Sequence, residues 1–208
     1  MLSLVLALLN AQRPSPPQAQ LPDPVVLTAR EIGTFTVSGE LVGTKFVLRC
    51  TSKAGATLFE TSFAAPPHPS YGLAFSVHSY PHLPDPLIVA SVDSPGADGY
   101  WLETVLIAPV HGRLQSLFPK HLQVRGSEDG LCVTTQGQTG SSLAVWRRIV
   151  GTDAVISPHR YSVVIYRWSP SGLVAVSRKV SQKRHASWVG ASEELSIPCV
   201  DLLANQLE

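Results

Sequence analysis

From Val25 onward the chain nowhere keeps a helical spacing of apolar residues for three turns. What recurs is a short run rich in β-branched and aromatic residues, ended by glycine, proline or serine. Strand-sized runs with a turn about every ten residues dictate an antiparallel all-β body. The runs predicted as strands are Val25–Ala29, Thr34–Leu41, Lys45–Thr51, Ala56–Phe63, Leu73–Ser79, Leu87–Val92, Tyr100–Ala108, Arg113–Phe118, Leu122–Arg125, Leu131–Thr135, Leu143–Ile149, Tyr161–Trp168, Leu173–Val180 and Trp188–Ile197. Val200–Gln206 is read as one short terminal helix.

The clearest hairpin runs from Tyr161 to Val180. Tyr161, Val163 and Ile165 alternate with Val164, Tyr166 and Trp168, so both faces of the first arm are apolar or aromatic,. That pattern predicts a central strand. Pro170, Ser171 and Gly172 supply the turn before Leu173 to Val176 returns,. A second version starts at Tyr100, with Pro109 at the same distance as Pro170 from Tyr161, followed by Gly112 and the return Leu114 to Phe118. A looser third version runs Phe46 to Cys50, then Ser52 to Gly55, then Thr57 to Phe59. Two further strand-like runs lie between successive hairpins, which gives four-stranded units of about 55 to 60 residues. Three such units form an incomplete propeller or an open meander, since a closed propeller takes at least four. The alternative is a two-sheet β-sandwich.

Of the 208 residues, 44% are apolar and 15% charged, enough for a sizeable core,. A net charge of +1 argues against a dedicated nucleic-acid binder,. The run Leu2 to Leu9 has the length and position of a signal-peptide core and is too short to span a bilayer,. Cleavage is expected near Ala11, giving a leader at 1–11. Prolines 14, 16, 17, 22 and 24 make 12–24 a solvated linker, and 25–208 is the single folded domain,. The expected location is secreted or periplasmic, with no transmembrane segment. Of Cys50, Cys132 and Cys199, at most one intramolecular pair can form, and the spacings match no zinc pattern,.

The stretch from Tyr71 to Phe118 holds Tyr71-Gly72, then Phe75, Ser76 and Val77, then Asp98-Gly99-Tyr100, then Val105 to Pro109. It resembles an FG-GAP repeat, the blade of integrin-type β-propellers. That family's pattern is an aromatic-glycine pair, Ser-Val, a calcium loop ending Asp-Gly-Tyr, and an apolar strand ending in a small residue and proline. The resemblance implies adhesion or ligand recognition, with Asp93 and Asp98 as oxygen ligands for Ca²⁺. The loop here is one residue longer than the pattern and lacks its middle carboxamide. Pro95-Gly96 predicts a turn that needs no metal. No cofactor is therefore expected, with Ca²⁺ at Asp93 and Asp98 as the alternative.

Arg178, Lys179, Lys183 and Arg184, with Trp188 as a stacking plate, form the one basic cluster and a candidate site for an anionic ligand,. The preferred reading of the same residues is charges that guard an edge strand. His78 and His82, separated by Ser79, Tyr80 and Pro81, fail as a helical metal pair, and His68 stands upstream,. No nucleophile elbow or zinc-protease motif is present, so no catalytic residue is assigned,. Asp85 and Glu103 are a carboxylate pair that folding could join. The expected function is an exported, non-catalytic interaction protein with a protein or glycan partner. The alternatives are a small envelope hydrolase without a recognisable motif and a structural envelope component.

Overall fold

A computed structural model describes residues 19–65, 72–96, 99–124, 129–135, 140–149 and 158–204. The fold is all-β, in three antiparallel sheets, none of them closed into a barrel. The first is a meander of β1 (Val25–Ala29), β2 (Gly33–Val42), β3 (Lys45–Ser52) and β4 (Thr57–Ala64). The second has β5 (Leu73–His78), β6 (Leu87–Gly96), β7 (Gly99–Val110) and β8 (Arg113–Ser116) in order, with β9 (Leu122–Val124) also paired to β7. The third joins β10 (Asp129–Thr135), β11 (Ser141–Arg148), β12 (Tyr161–Ser169) and β13 (Gly172–Val180). To its β10 edge it adds β14 (Cys199–Ala204). The repeated hairpin occupies the same place in each sheet, joining strands three and four: β3–β4, β7–β8 and β12–β13.

Sheet stacking follows from the two apolar runs at the centre of the second sheet. Ile88, Ala90 and Val92 of β6 and Val105 and Ile107 of β7 share one core with Phe35, Val37, Phe46, Leu48, Cys50 and Phe63 of the first sheet. Leu87, Val89, Leu106 and Ala108, the alternate residues, share another with Leu131, Val133 and Leu143 of the third. A run such as Leu87 to Ala90 carries no polar alternation because both its faces are buried,. Each Leu or Ile taken out of water there stabilises by about 1.5–3 kcal/mol. The second sheet is thus the middle slice of a three-layer stack. The outward face of the first sheet is polar, with Arg49 bonded to Glu60 at 2.8 Å and to Glu40 at 2.9 Å. On β12, Tyr161, Val163 and Ile165 are fully buried, whereas Val164, Tyr166 and Trp168 are half-buried. The strand is paired on both sides, as expected.

Two expectations at the C-terminus are reversed. Trp188–Leu195 is not a strand but α1, which covers the outward face of the third sheet. Trp188, Ala191 and Leu195 recur at helical spacing and meet Trp146, Tyr161, Val163 and Ile165,. Trp146 and Trp188 stack with centroids 4.6 Å apart. The helix ends in a Schellman closure: Ser196 is left-handed, its N–H bonds to the Glu193 carbonyl, and the Ile197 N–H bonds to that of Ser192,. Val200 to Ala204, read as a helix, is instead most of β14. Pairing with β10 and a Cys132–Cys199 disulfide override a local preference too short to stand alone,. Cys50 is left over, buried in the first core, and burial pushes its thiol up to about 12.

The leader at 1–11 and the linker through residue 18 lie outside the described residues. The rest of the linker is not a free tether. A Cβ on Gly39 would come within 3.2 Å of Pro22, and one on Gly72 within 2.6 Å of the Gln20 carbonyl. Two bare glycines therefore let this stretch lie against the sheets. No helix among the described residues is long and apolar enough to cross a membrane.

Candidate functional site

Turns from all three sheets meet at one end of the stack. The β7–β8 hairpin closes from Val110 to Arg113 through His111 (φ 50°) and Gly112 (φ 72°), both left-handed as a type I′ turn demands,. The Gly112 N–H donates to Glu31 Oε2 at 2.9 Å, tying this turn to the β1–β2 turn of the first sheet. Trp168 and Pro170 arrive from the β12–β13 hairpin, and Pro84 and Asp85 from the loop before β6. Together with Arg30, Pro109 and Val110 these residues line a cleft of about 340 Å³ to which all three sheets contribute. Of its apolar lining Pro84 and Val110 are buried, Pro109 and Trp168 half-buried, and Pro170 exposed. Its rim carries Arg30, Glu31, Asp85 and His111.

Two hydroxyl–imidazole–carboxylate arrays lie elsewhere. His121 accepts or donates through Nε2 to Thr61 at 2.8 Å and meets Glu103 through Nδ1 at 2.7 Å. Its ring also lies 4.7 Å from that of Phe63. This array links β4 of the first sheet to β7 of the second, in the manner of a polar tie. In the other array, His78 Nε2 is 2.8 Å from Ser76 Oγ. Its Nδ1 faces the Tyr80 hydroxyl at 3.3 Å and Asp201 at 3.5 Å. The Tyr80 hydroxyl also donates to Asp201.

The basic cluster does not assemble as the sequence suggested. Arg178 and Lys179 lie on β13, an edge strand, opposite Val164 and Val163, so their side chains leave from opposite faces,. Lys179 Nζ donates to the Leu195 carbonyl at the end of α1, where a cation suits the helix dipole. Lys183 and Arg184 follow in the exposed turn, where the backbone N–H of Lys183 donates to Glu194. His185 and the Gln182 N–H hold the Glu194 carboxyl below the usual range, placing a negative charge amid the basic residues. Trp188 is not an open plate: it is 6% exposed, stacked on Trp146 and edge-on to Tyr161.

Asp93 is not in a loop. The β6–β7 ladder continues through Asp93↔Leu102 and Pro95↔Tyr100 to Gly96↔Gly99, so Pro95-Gly96 is strand rather than turn. Asp98 lies outside the described residues. Asp93 is half-buried, and burial raises its carboxyl above the ordinary aspartate value. Asp85 lines the cleft while Glu103 bonds His121, so these carboxylates serve different places. His82 lies against Gly140. Sequence reasoning marked Pro109 and Pro170 as repeat punctuation but did not see that they share a cleft. Arg30, Glu31 and His111 carried no motif, and Trp168 was marked only as part of the repeated hairpin. No protein-family model matches the chain, and no curated protein is significantly similar to it.

Proposed function

We propose that this is an exported interaction module of FG-GAP-like blades whose cleft holds a carbohydrate. The observation that carries the reading is the cleft itself, in which Trp168 and three prolines face Arg30, Glu31, Asp85 and His111. A sugar ring offers an apolar C–H face to an aromatic or proline floor and hydroxyls to carboxylate, guanidinium and imidazole partners around it. The blade reading draws support from the extent of the second sheet: the stretch that resembles the repeat coincides with the meander β5 to β8. Export is supported by the apolar run Leu2 to Leu9 and by the Cys132–Cys199 bridge, a feature of oxidising compartments,.

Screening the secreted protein on a glycan panel tests the ligand. A retained saccharide whose affinity falls at least tenfold in Trp168→Ala and in Asp85→Asn is the expected result. Failure to retain any glycan, or unchanged affinity in both variants, overturns the reading. N-terminal sequencing of secreted material tests export, with a start after Ala11 expected.

A further inference from the structure

We propose that Ser76, His78 and Asp201 form an ester-hydrolysing centre on the β5 edge, separate from the cleft. Ser76 and His78 lie two apart on one strand and so project from the same face, which brings Oγ to 2.8 Å from Nε2,. The far side of the ring fixes which nitrogen carries the proton. The Tyr80 hydroxyl donates to Asp201, so its oxygen is free to accept the Nδ1–H at 3.3 Å, and the carboxylate itself stands 3.5 Å from Nδ1. Both neighbours favour a proton on Nδ1. That leaves the Nε2 lone pair for the serine hydroxyl, the order of roles that defines a nucleophile, its base and the group that orients the base. Tyr80 also stacks on the imidazole, with centroids 5.9 Å apart and planes within 10°.

Ser76 is exposed, as a nucleophile must be. Among the described residues β5 is the edge of its sheet, so its backbone N–H groups that turn away from β6 have no ladder partner there and can serve as donors for an oxyanion,. In the forward step Oγ bonds to the ester carbonyl carbon and its proton passes to Nε2. The C–O bond to the alkoxy group then breaks, and the leaving oxygen takes that proton. Water, deprotonated by Nε2, then attacks the acyl carbon; the C–Oγ bond breaks, Oγ takes the proton back from Nε2, and the carboxylic acid leaves. No metal, oxidant or reductant enters the balance. The Thr61–His121–Glu103 array has a shorter imidazole–carboxylate contact but a more hindered secondary hydroxyl, half-buried between two sheets.

The full chain should hydrolyse 4-nitrophenyl acetate and take up a fluorophosphonate probe at Ser76, located by peptide mass spectrometry. Ser76→Ala should return hydrolysis to the buffer rate and abolish labelling with an unchanged melting curve. Asp201→Asn acts through the imidazole and should lower kcat on the order of 10²-fold or more, leave KM nearly unchanged and alter the pH–rate profile. Absence of label at Ser76, wild-type hydrolysis by Ser76→Ala, or an Asp201→Asn profile identical in shape to wild type would each overturn the proposal. Hydrolysis and labelling at Ser76 are read without any glycan, which separates their outcome from that of the glycan assay.

Discussion

At the scale of single residues, Asp93 is the informative case. Its carboxyl titrates above the ordinary aspartate value because burial penalises the charged form,. A folded-state pKa above the unfolded one means that the ionised group works against the fold. Its cost is absent below the unfolded value and appears as pH rises through the folded one. Asp93→Asn should therefore raise the urea midpoint at pH 7 and lose that advantage near pH 3. Calcium enters the same comparison. A carboxylate inside the paired ladder β6–β7 lacks the curved loop of oxygens that Ca²⁺ prefers,. Calorimetric titration should accordingly give a Kd no tighter than about 10⁻⁴ M. Micromolar affinity lost in Asp93→Ala would show that the integrin-type loop operates here.

At the scale of elements, Gly130 and Trp146 show how one position licenses another. They face each other across β10 and β11, and a Cβ on Gly130 would fall 2.0 Å from the indole. Gly130→Ala should push Trp146 off Trp188, lowering stability by about 1–3 kcal/mol and changing tryptophan fluorescence. An unaltered spectrum and melt would deny the stacked pair its role. The β elements were largely legible because alternation, turn glycines and turn prolines act locally. The exchange of roles between Trp188–Leu195 and Cys199–Ala204 was not, since Cys199 is held in β14 by Cys132, far away in the chain. The helical spacing of Trp188, Ala191 and Leu195 was present but shorter than three turns, and bulky Trp188, Val189 and Ile197 mimicked a strand. The cleft escaped for a similar reason. Arg30, Asp85, His111 and Trp168 are scattered along the chain, and only the stacking of sheets unites them.

At the scale of the whole molecule, the late elements are held by one covalent link. The Cys132–Cys199 bridge spans a sequence separation of 67. Chain-entropy reasoning puts its contribution at about 4 kcal/mol, an upper figure because strain and residual structure reduce it. Cys199→Ser should lose about 2–4 kcal/mol, and the reduced wild type should melt with the variant. Equal stability of all three forms would assign the terminal docking to packing alone. The two outward faces of the stack carry a different implication. One presents Arg49 between Glu40 and Glu60, and the other is sealed by α1. A duplicated unit added beyond either face would meet charge or a helix instead of an apolar surface. Lengthening this architecture by duplication would therefore have to insert new units between existing ones, beside the middle sheet, where both neighbours offer a hydrophobic side,.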